Sequence, residues 1–274
     1  MWVNGRPETV LSLRDRALHY GDGLFETIAI ADGQPQLLTA HLQRLQSGCR
    51  RLSLPYPDED LLRQEIAAAS RAMAVGRKSV LKLILSRGEG GRGYRPPQIM
   101  EPVRILMSFP WPYHDEEERC GVRLRYCSTP LSSHPQLAGI KHLNRLEQVI
   151  ARNEWQNETI FEGLMANGKG SIVEGTMSNI FWLRSGRIFT PELKECGVQG
   201  VMRQEVMTLA EEEGIACEIT SCERHDLEEA DGLFITNSLL KIRWVRQLQQ
   251  KRYPQLEIIR HLQQKLEKRL AHHA

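Results

Sequence analysis

No run of this sequence is apolar for the roughly 20 residues that a helix needs to cross a bilayer, so no membrane partner is expected. The opening MWVNGRPE lacks the apolar core of a secretory signal. Cysteine is sparse and scattered. Cys49, Cys120, Cys127, Cys196, Cys217 and Cys222 form no CxxC pair and no zinc-like grouping with histidine, which speaks against a thiolate metal centre or a disulfide framework. The expectation is a reduced cytoplasmic protein with free thiols and no bound metal. Excess charge is missing as well: 36 basic against 34 acidic residues leave a formal net charge of +2, so no global field recruits nucleic acid. A nucleic-acid binder using the many arginines would need basic and aromatic residues clustered together, and they are not.

What is present is the mix of a soluble globular protein, 41% hydrophobic and 26% charged over 274 residues, enough for one large domain or two ordinary ones. In the first third, FETIAI (25–30) and QPQLL (34–38) flank Asp32-Gly33, which suits a tight hairpin turn. Thr39 can cap a helix with Leu42, Leu45, Cys49 and Leu52 on its apolar face. A second helix is predicted over Leu61 to Ala74, then strands Ser79 to Ser86 and Val103 to Phe109. WPYHDEEERCG (111–121) loses apolar periodicity, and His114 with Asp115 to Glu118 reads as charged linker rather than metal site. The predicted division is a smaller α/β domain over 1–112, a linker over 113–121 and a larger domain over 122–274. In the latter the pattern gives strands at Val122 to Cys127, Thr159 to Ala166, Ile180 to Leu183, Arg187 to Thr190 and Ala230 to Thr236. Helices are predicted at Arg145 to Asn157, Val201 to Glu213 and Leu256 to Leu270. The fold class is α/β with two domains.

Five places depart from what packing alone would choose. Lys141 ends the apolar approach LAGI, with His142, Asn144 and Arg145 close behind, so it could be a partly desolvated amine with chemistry to do; a solvated surface lysine is the ordinary alternative. Lys82 is its rival, since it interrupts SVLKLILS, although a half-buried strand lysine explains that too. At Gln199-Gly200-Val201-Met202-Arg203 a helix begins, and its free N–H groups and dipole suit an anion. Val173 through Asn179 (VEGTMSN) and Phe234 through Ser238 (FITNS) put a carboxylate, hydroxyls and amides in turns beside or at the end of apolar strands. RGEGGRGYR (87–95) lacks both GxxxxGK[ST] and GxGxxG and reads as a mobile loop offering Arg92, Tyr94 and Arg95 to carboxylates. An amine, an anion cradle, an acid and hydroxyl turns together match what pyridoxal 5′-phosphate requires.

On RDRALHYGDGLFET (14–27), LLTAHLQRL (37–45), SRGEGGRGY (86–94), LAGIKHLNRLEQV (137–149), VEGTMSNIFW (173–182) and GVQGVMRQ (197–204), the chain resembles the fold-type IV pyridoxal-phosphate enzymes, with the two-domain fold of D-amino acid aminotransferases. GIKHLNRLEQV and GGRGY are similar to the branch of that family that acts on 4-amino-4-deoxychorismate, releasing 4-aminobenzoate and pyruvate. The resemblance implies Lys141 as Schiff-base lysine and general base, with Glu174 as partner of the pyridine nitrogen. It implies Arg44 and the N–H groups of Val201 and Met202, beside Gly200, as phosphate holders, with Ser178, Asn179, Thr236 and Asn237 completing the cofactor site. Arg92 and Arg95 would meet the substrate's carboxylates, and Thr39 or a water could share the proton chemistry. It further implies a homodimer whose 87–95 loop reaches the neighbouring subunit's site. An aminotransferase of the same fold is the alternative. By periodicity alone Arg44 lies opposite its helix's apolar face and reads as solvated.

Overall fold

The computed structural model describes residues 1–73, 78–113 and 120–272. The chain forms two compact units. One comprises Met1–Pro112 with Ile140–Asn144, the other Tyr113–Gly139 with Arg145–Ala271. The charged stretch His114 to Glu118, read as linker, lies outside the described residues.

The first unit runs β1 (Trp2–Val3), β2 (Arg6–Pro7), α1 (Arg16–Tyr20), β3 (Gly23–Ala31), β4 (Gln34–Pro35), α2 (Leu38–Leu52), α3 (Glu59–Arg71), β5 (Ser79–Ser86) and β6 (Val103–Pro110). Its strands make one sheet, ordered β2-β1-β6-β5-β3-β4, with every pair antiparallel. The expected hairpin is there: Ala31 pairs with Gln34, and Asp32 and Gly33 turn with φ of 51° and 77°, as a two-residue turn matching strand twist requires. β4 stops at Pro35, well short of Leu38, because proline has no N–H for a ladder. The expected cap also moves. Leu37, at φ 53°, is the N-cap of α2 and Thr39 sits inside the first turn. α2 buries Leu42, Leu45 and Cys49 as its periodicity demands, but also His41 and Gly48. α3 begins two residues earlier than predicted because the Asp58 carboxylate accepts the Leu61 N–H at 2.9 Å; its predicted end at Ala74 lies outside the described residues.

A cut near residue 113 leaves one segment on the wrong side. Ile140–Asn144 extends the first unit's sheet beside the start of β3: Phe25 N–H donates to the Lys141 carbonyl and Leu143 N–H to the Gly23 carbonyl, each at 3.0 Å. Backbone pairing of this kind has no hydrophobic signature in the sequence.

The second unit runs β7 (Val122–Tyr126), α4 (Leu146–Arg152), β8 (Glu162–Ala166), β9 (Ile172–Gly175), β10 (Asn179–Arg184), β11 (Arg187–Pro191), α5 (Val201–Glu212), β12 (Cys217–Thr220), α6 (Arg224–Glu229), β13 (Gly232–Asn237), β14 (Lys241–Leu248), β15 (Lys251–Arg252) and α7 (Glu257–His272). Its sheet is mixed, ordered β12-β11-β10-β13-β14-β7-β8-β9, with β15 beside β14. The pairs β11–β12, β14–β7 and β7–β8 are parallel. The Ser185-Gly186 hairpin forms as predicted, with Arg184 opposite Arg187. Phe181 and Phe234 are cross-strand neighbours stacked at 4.8 Å in a fully buried core. Among the described residues no helix is long and apolar enough to cross a membrane.

Candidate active site

In the first unit the partly buried Lys141 holds its ammonium 4.4 Å from the centroid of the Phe25 ring. Lys82, opposite Thr27 in the β3–β5 ladder, reaches the same ring at 5.3 Å. The two lysines weighed in the sequence thus share one aromatic ring, a contact worth about 0.5–1 kcal/mol for an exposed cation and more for a desolvated one. They differ in their backbone. Lys82 is locked mid-ladder, while Lys141 rides on a short irregular pairing beside a single bridge, Leu24 to His142.

Behind the next residue of β3 lies a charged cluster. Glu26 is 1% exposed, and its carboxylate is forked by Arg44, from Nε to Oε1 at 2.9 Å and from Nη2 to Oε2. Oε2 also pairs with His41 Nδ1 at 2.6 Å. Burial pushes the Glu26 carboxyl up, but the Arg44 charge and the bonds from His41 and Arg44 prevail and bring it to about 2. Burial holds the His41 imidazole below its ordinary range, so at neutral pH its Nδ1–H donates and Nε2 is a buried acceptor with no hydrogen-bond partner among the described residues. Arg44 is therefore not the solvated side chain its periodicity predicts. Only 12% of it is exposed, because an arginine three residues after a buried histidine shares that histidine's side of the helix.

The second unit supplies an acid and an anion cradle. Glu174, 4% exposed at the end of β9, accepts the Val198 N–H on Oε2 at 2.8 Å. Asn179 donates from Nδ2 to the Val198 carbonyl at 2.9 Å and lies against Gly200, where a Cβ would fall 2.1 Å from its Oδ1. Only glycine fits. Gly200 is the N-cap of α5, and no side chain caps that helix. The first-turn N–H groups, including those of Val201 and Met202, and the positive end of the helix dipole are thereby offered to an anion. Asn179 also pairs with Thr236 across β10 and β13, and the Thr236 hydroxyl is fully buried with no hydrogen-bond partner among the described residues. A buried, unsatisfied hydroxyl costs about 1–3 kcal/mol, so a polar group placed there would satisfy it.

Not every predicted residue turns towards these groups. The Ser178 hydroxyl donates to Glu162 Oε2 at 2.9 Å. Glu162, fully buried, also gathers the N–H groups of Gly163, Thr176 and Met177 and the Thr176 hydroxyl. Burial pushes its carboxyl up while these donors pull it down, the net direction being upward. Asn237 uses its side chain locally, on the Met177 carbonyl and the Leu239 and Leu240 N–H groups. Thr39 is exposed and accepts from Arg63 at 3.4 Å. Arg92 and Arg95 are exposed. Sequence reasoning missed Glu26, His41 and Glu162. Their one available signal was an acid or imidazole interrupting an apolar face, which many solvated side chains share.

The sequence profile of the Amino-transferase class IV family matches residues 23–248. An aminodeoxychorismate lyase of Vibrio harveyi is 38% identical over 243 residues, covering 88% of each chain. A putative branched-chain-amino-acid aminotransferase of Methanocaldococcus jannaschii is 31% identical, covering 88% of this chain and 85% of its own. The crystal structure of a 4-amino-4-deoxychorismate lyase from Pseudomonas aeruginosa superposes with a TM-score of 0.93 at 47% identity, over 97% of this chain and 98% of that one.

Proposed function

The chain belongs to the class IV aminotransferase family, and from that membership we propose that it is a pyridoxal 5′-phosphate-dependent carbon–oxygen lyase converting 4-amino-4-deoxychorismate to 4-aminobenzoate and pyruvate, a step towards folate. The observation that carries the reading is 47% identity, over nearly the full length of both chains, to a 4-amino-4-deoxychorismate lyase.

The donor set of this chain suits the cofactor. A phosphate would meet the N–H groups of Val201 and Met202 and the buried Thr236 hydroxyl, with Arg44 as its cation. The uncapped helix and the unsatisfied hydroxyl support that assignment. A ring nitrogen would meet Glu174, whose burial favours a charge-assisted hydrogen bond to a protonated partner. When bound, pyridoxal phosphate supplies an aldehyde that captures an amine and a protonated ring that takes up electrons.

Lys141 would hold that aldehyde, and its amine would serve as the general base for the proton on the carbon bearing the substrate nitrogen. The ether bond at the neighbouring carbon breaks, the ring becomes aromatic, and the enolpyruvate that leaves takes up a proton to give pyruvate. Lys141, now an ammonium, is the economical donor of that proton. Glu174 would hold the proton on the ring nitrogen. Asn179 sets the α5 terminus by holding the Val198 carbonyl and closing on Gly200. Arg92 and Arg95 receive the two substrate carboxylates.

The protein acts as a cytoplasmic homodimer in this reading; six unpaired thiols are consistent with a reducing compartment. An aminotransferase is the second reading, favoured by the 31% identity to the Methanocaldococcus protein. Purified protein given pyridoxal phosphate and aminodeoxychorismate should form 4-aminobenzoate; failure to do so while an amino acid and a 2-oxo acid exchange nitrogen would replace the lyase by the transferase.

A further inference from the structure

We propose that Arg16 is a positioning residue for the substrate, clamping the segment 87–95 so that its side chains are held in the pose that receives substrate carboxylates. The inference rests on the reading above that this segment meets the substrate.

The segment holds four glycines, Gly88, Gly90, Gly91 and Gly93, and glycine has the most conformational freedom to lose. The sequence therefore reads it as mobile. The structure ties its backbone down. Arg16 opens α1 with its side chain 4% exposed. Its Nη1 donates to the Gly93 carbonyl at 3.1 Å and its Nη2 to the Tyr94 carbonyl at 2.9 Å. Its Nε donates to Asp22 Oδ2 at 2.8 Å, and the guanidinium lies 4.8 Å from the Tyr20 ring centroid. The aliphatic stem runs so close under the loop that a Cβ at Gly90 would fall 2.8 Å from Arg16 Cδ.

Tyr20 adds a second tie, because its Oη accepts the Gly93 N–H at 3.1 Å and its ring lies 5.4 Å from that of Tyr94. Further back, the Arg16 N–H donates to the Gly88 carbonyl at 2.9 Å and the Gly90 N–H to the Arg14 carbonyl at 3.3 Å. The counter-charge is shared. Asp22 Oδ2 also takes Arg87 Nε at 2.8 Å, and Arg87 reaches the Leu52 and Ser53 carbonyls at the end of α2. One carboxylate thus joins the helix that carries His41 and Arg44 to the loop that carries Arg92.

A charged side chain is rarely buried unless it is paired, and here, besides Asp22, Arg16 gives one bond from each terminal nitrogen to the loop. The planar fork of arginine spans two consecutive carbonyls and a carboxylate at once; a lysine ammonium cannot. Meanwhile Arg92, Tyr94 and Arg95 are exposed, Tyr94 to 85%. A backbone held from beneath with its side chains left outward is built to present them.

The test uses the holoenzyme with Arg16→Lys and Tyr20→Phe. Tryptic cleavage after Arg92 is followed by mass; Arg95 precedes Pro96 and is a poor site. In parallel, KM and kcat for aminodeoxychorismate and the visible band of the bound cofactor are measured. Arg16→Lys, which loses charge-assisted bonds, should speed that cleavage and raise KM, each about tenfold or more, and Tyr20→Phe each about threefold, while kcat and the cofactor band stay within about twofold. Unchanged cleavage in both variants overturns the clamp. Faster cleavage with unchanged KM leaves the clamp standing but overturns its substrate role and, with it, the reading that the segment meets the substrate. A parallel loss of kcat and cofactor band makes Arg16 merely structural and overturns the proposal. Should Arg16→Lys not fold, Tyr20→Phe carries the same test, since it removes a single hydroxyl.

Discussion

Replacing Glu26 by Gln removes a buried charge while keeping the shape. Glu26 and His41 side chains are each 1% exposed and Arg44 is 12% exposed, so the substitution removes the carboxylate that a guanidinium poorly reached by water is paired with. Breaking a buried pair by removing one partner costs about 3–5 kcal/mol. The depressed carboxyl leads to the same order of magnitude. A carboxyl brought from 4.5 to about 2 contributes roughly 3 kcal/mol to stability at neutral pH. The sign follows from the depressed value: the contribution is complete above the unfolded value of 4.5 and disappears as pH falls through about 2. Urea unfolding of the cofactor-free protein should therefore place Glu26→Gln about 3 kcal/mol below wild type at pH 7. That gap should hold to about pH 5 and then narrow steadily on acidification. A gap under about 1 kcal/mol at pH 7, or one that does not narrow between pH 5 and pH 3, would show that the cluster does not hold an ionised carboxylate.

Borohydride reduction of the holoenzyme should fix the cofactor to one peptide, containing Lys141; labelling at Lys82, which shares the Phe25 ring, would reverse the choice between them. Glu174→Gln should retain cofactor but lower kcat about tenfold to a hundredfold, because an amide cannot hold the ring proton; wild-type turnover would remove that role. Gly200→Ala forces a methyl against Asn179 Oδ1 and should weaken pyridoxal phosphate binding about tenfold or more, read by dialysis and visible titration. Arg92→Ala and Arg95→Ala should each raise KM for aminodeoxychorismate about tenfold while sparing the cofactor band, and unchanged KM in both would withdraw them as carboxylate partners.

Much of the fold was legible because local chemistry decided it. The Asp32-Gly33 and Ser185-Gly186 turns carry the positive φ values that only a few residues adopt readily, and α2 and α5 carry clear apolar periods. β14 escaped notice because KIRWVRQL mixes charge with apolar residues, and a strand between two others can bury Arg243 where composition reads exposure. The Lys141 segment escaped assignment to the first unit because backbone hydrogen bonds placed it there. At the site, Gly200 and Glu174 were visible as a helix start and an acid in an apolar turn. Arg44 was not, since its anchor is Glu26, 18 residues away, and no periodicity reports a partner on another element. The 87–95 segment read as loose for the same reason: Arg16 lies more than 70 residues before the carbonyls it holds.

The central claim is the reaction. A lyase regenerates its lysine-bound cofactor in each cycle, whereas an aminotransferase keeps the substrate nitrogen and stops until a 2-oxo acid removes it. The measurement is product formation from aminodeoxychorismate with no 2-oxo acid added, set beside kcat/KM for D- and L-amino acids with 2-oxoglutarate. The account predicts 4-aminobenzoate and pyruvate in equal amounts over many turnovers, with amino acids used far less well. Arrest after one turnover, or a higher kcat/KM for an amino acid, would contradict it.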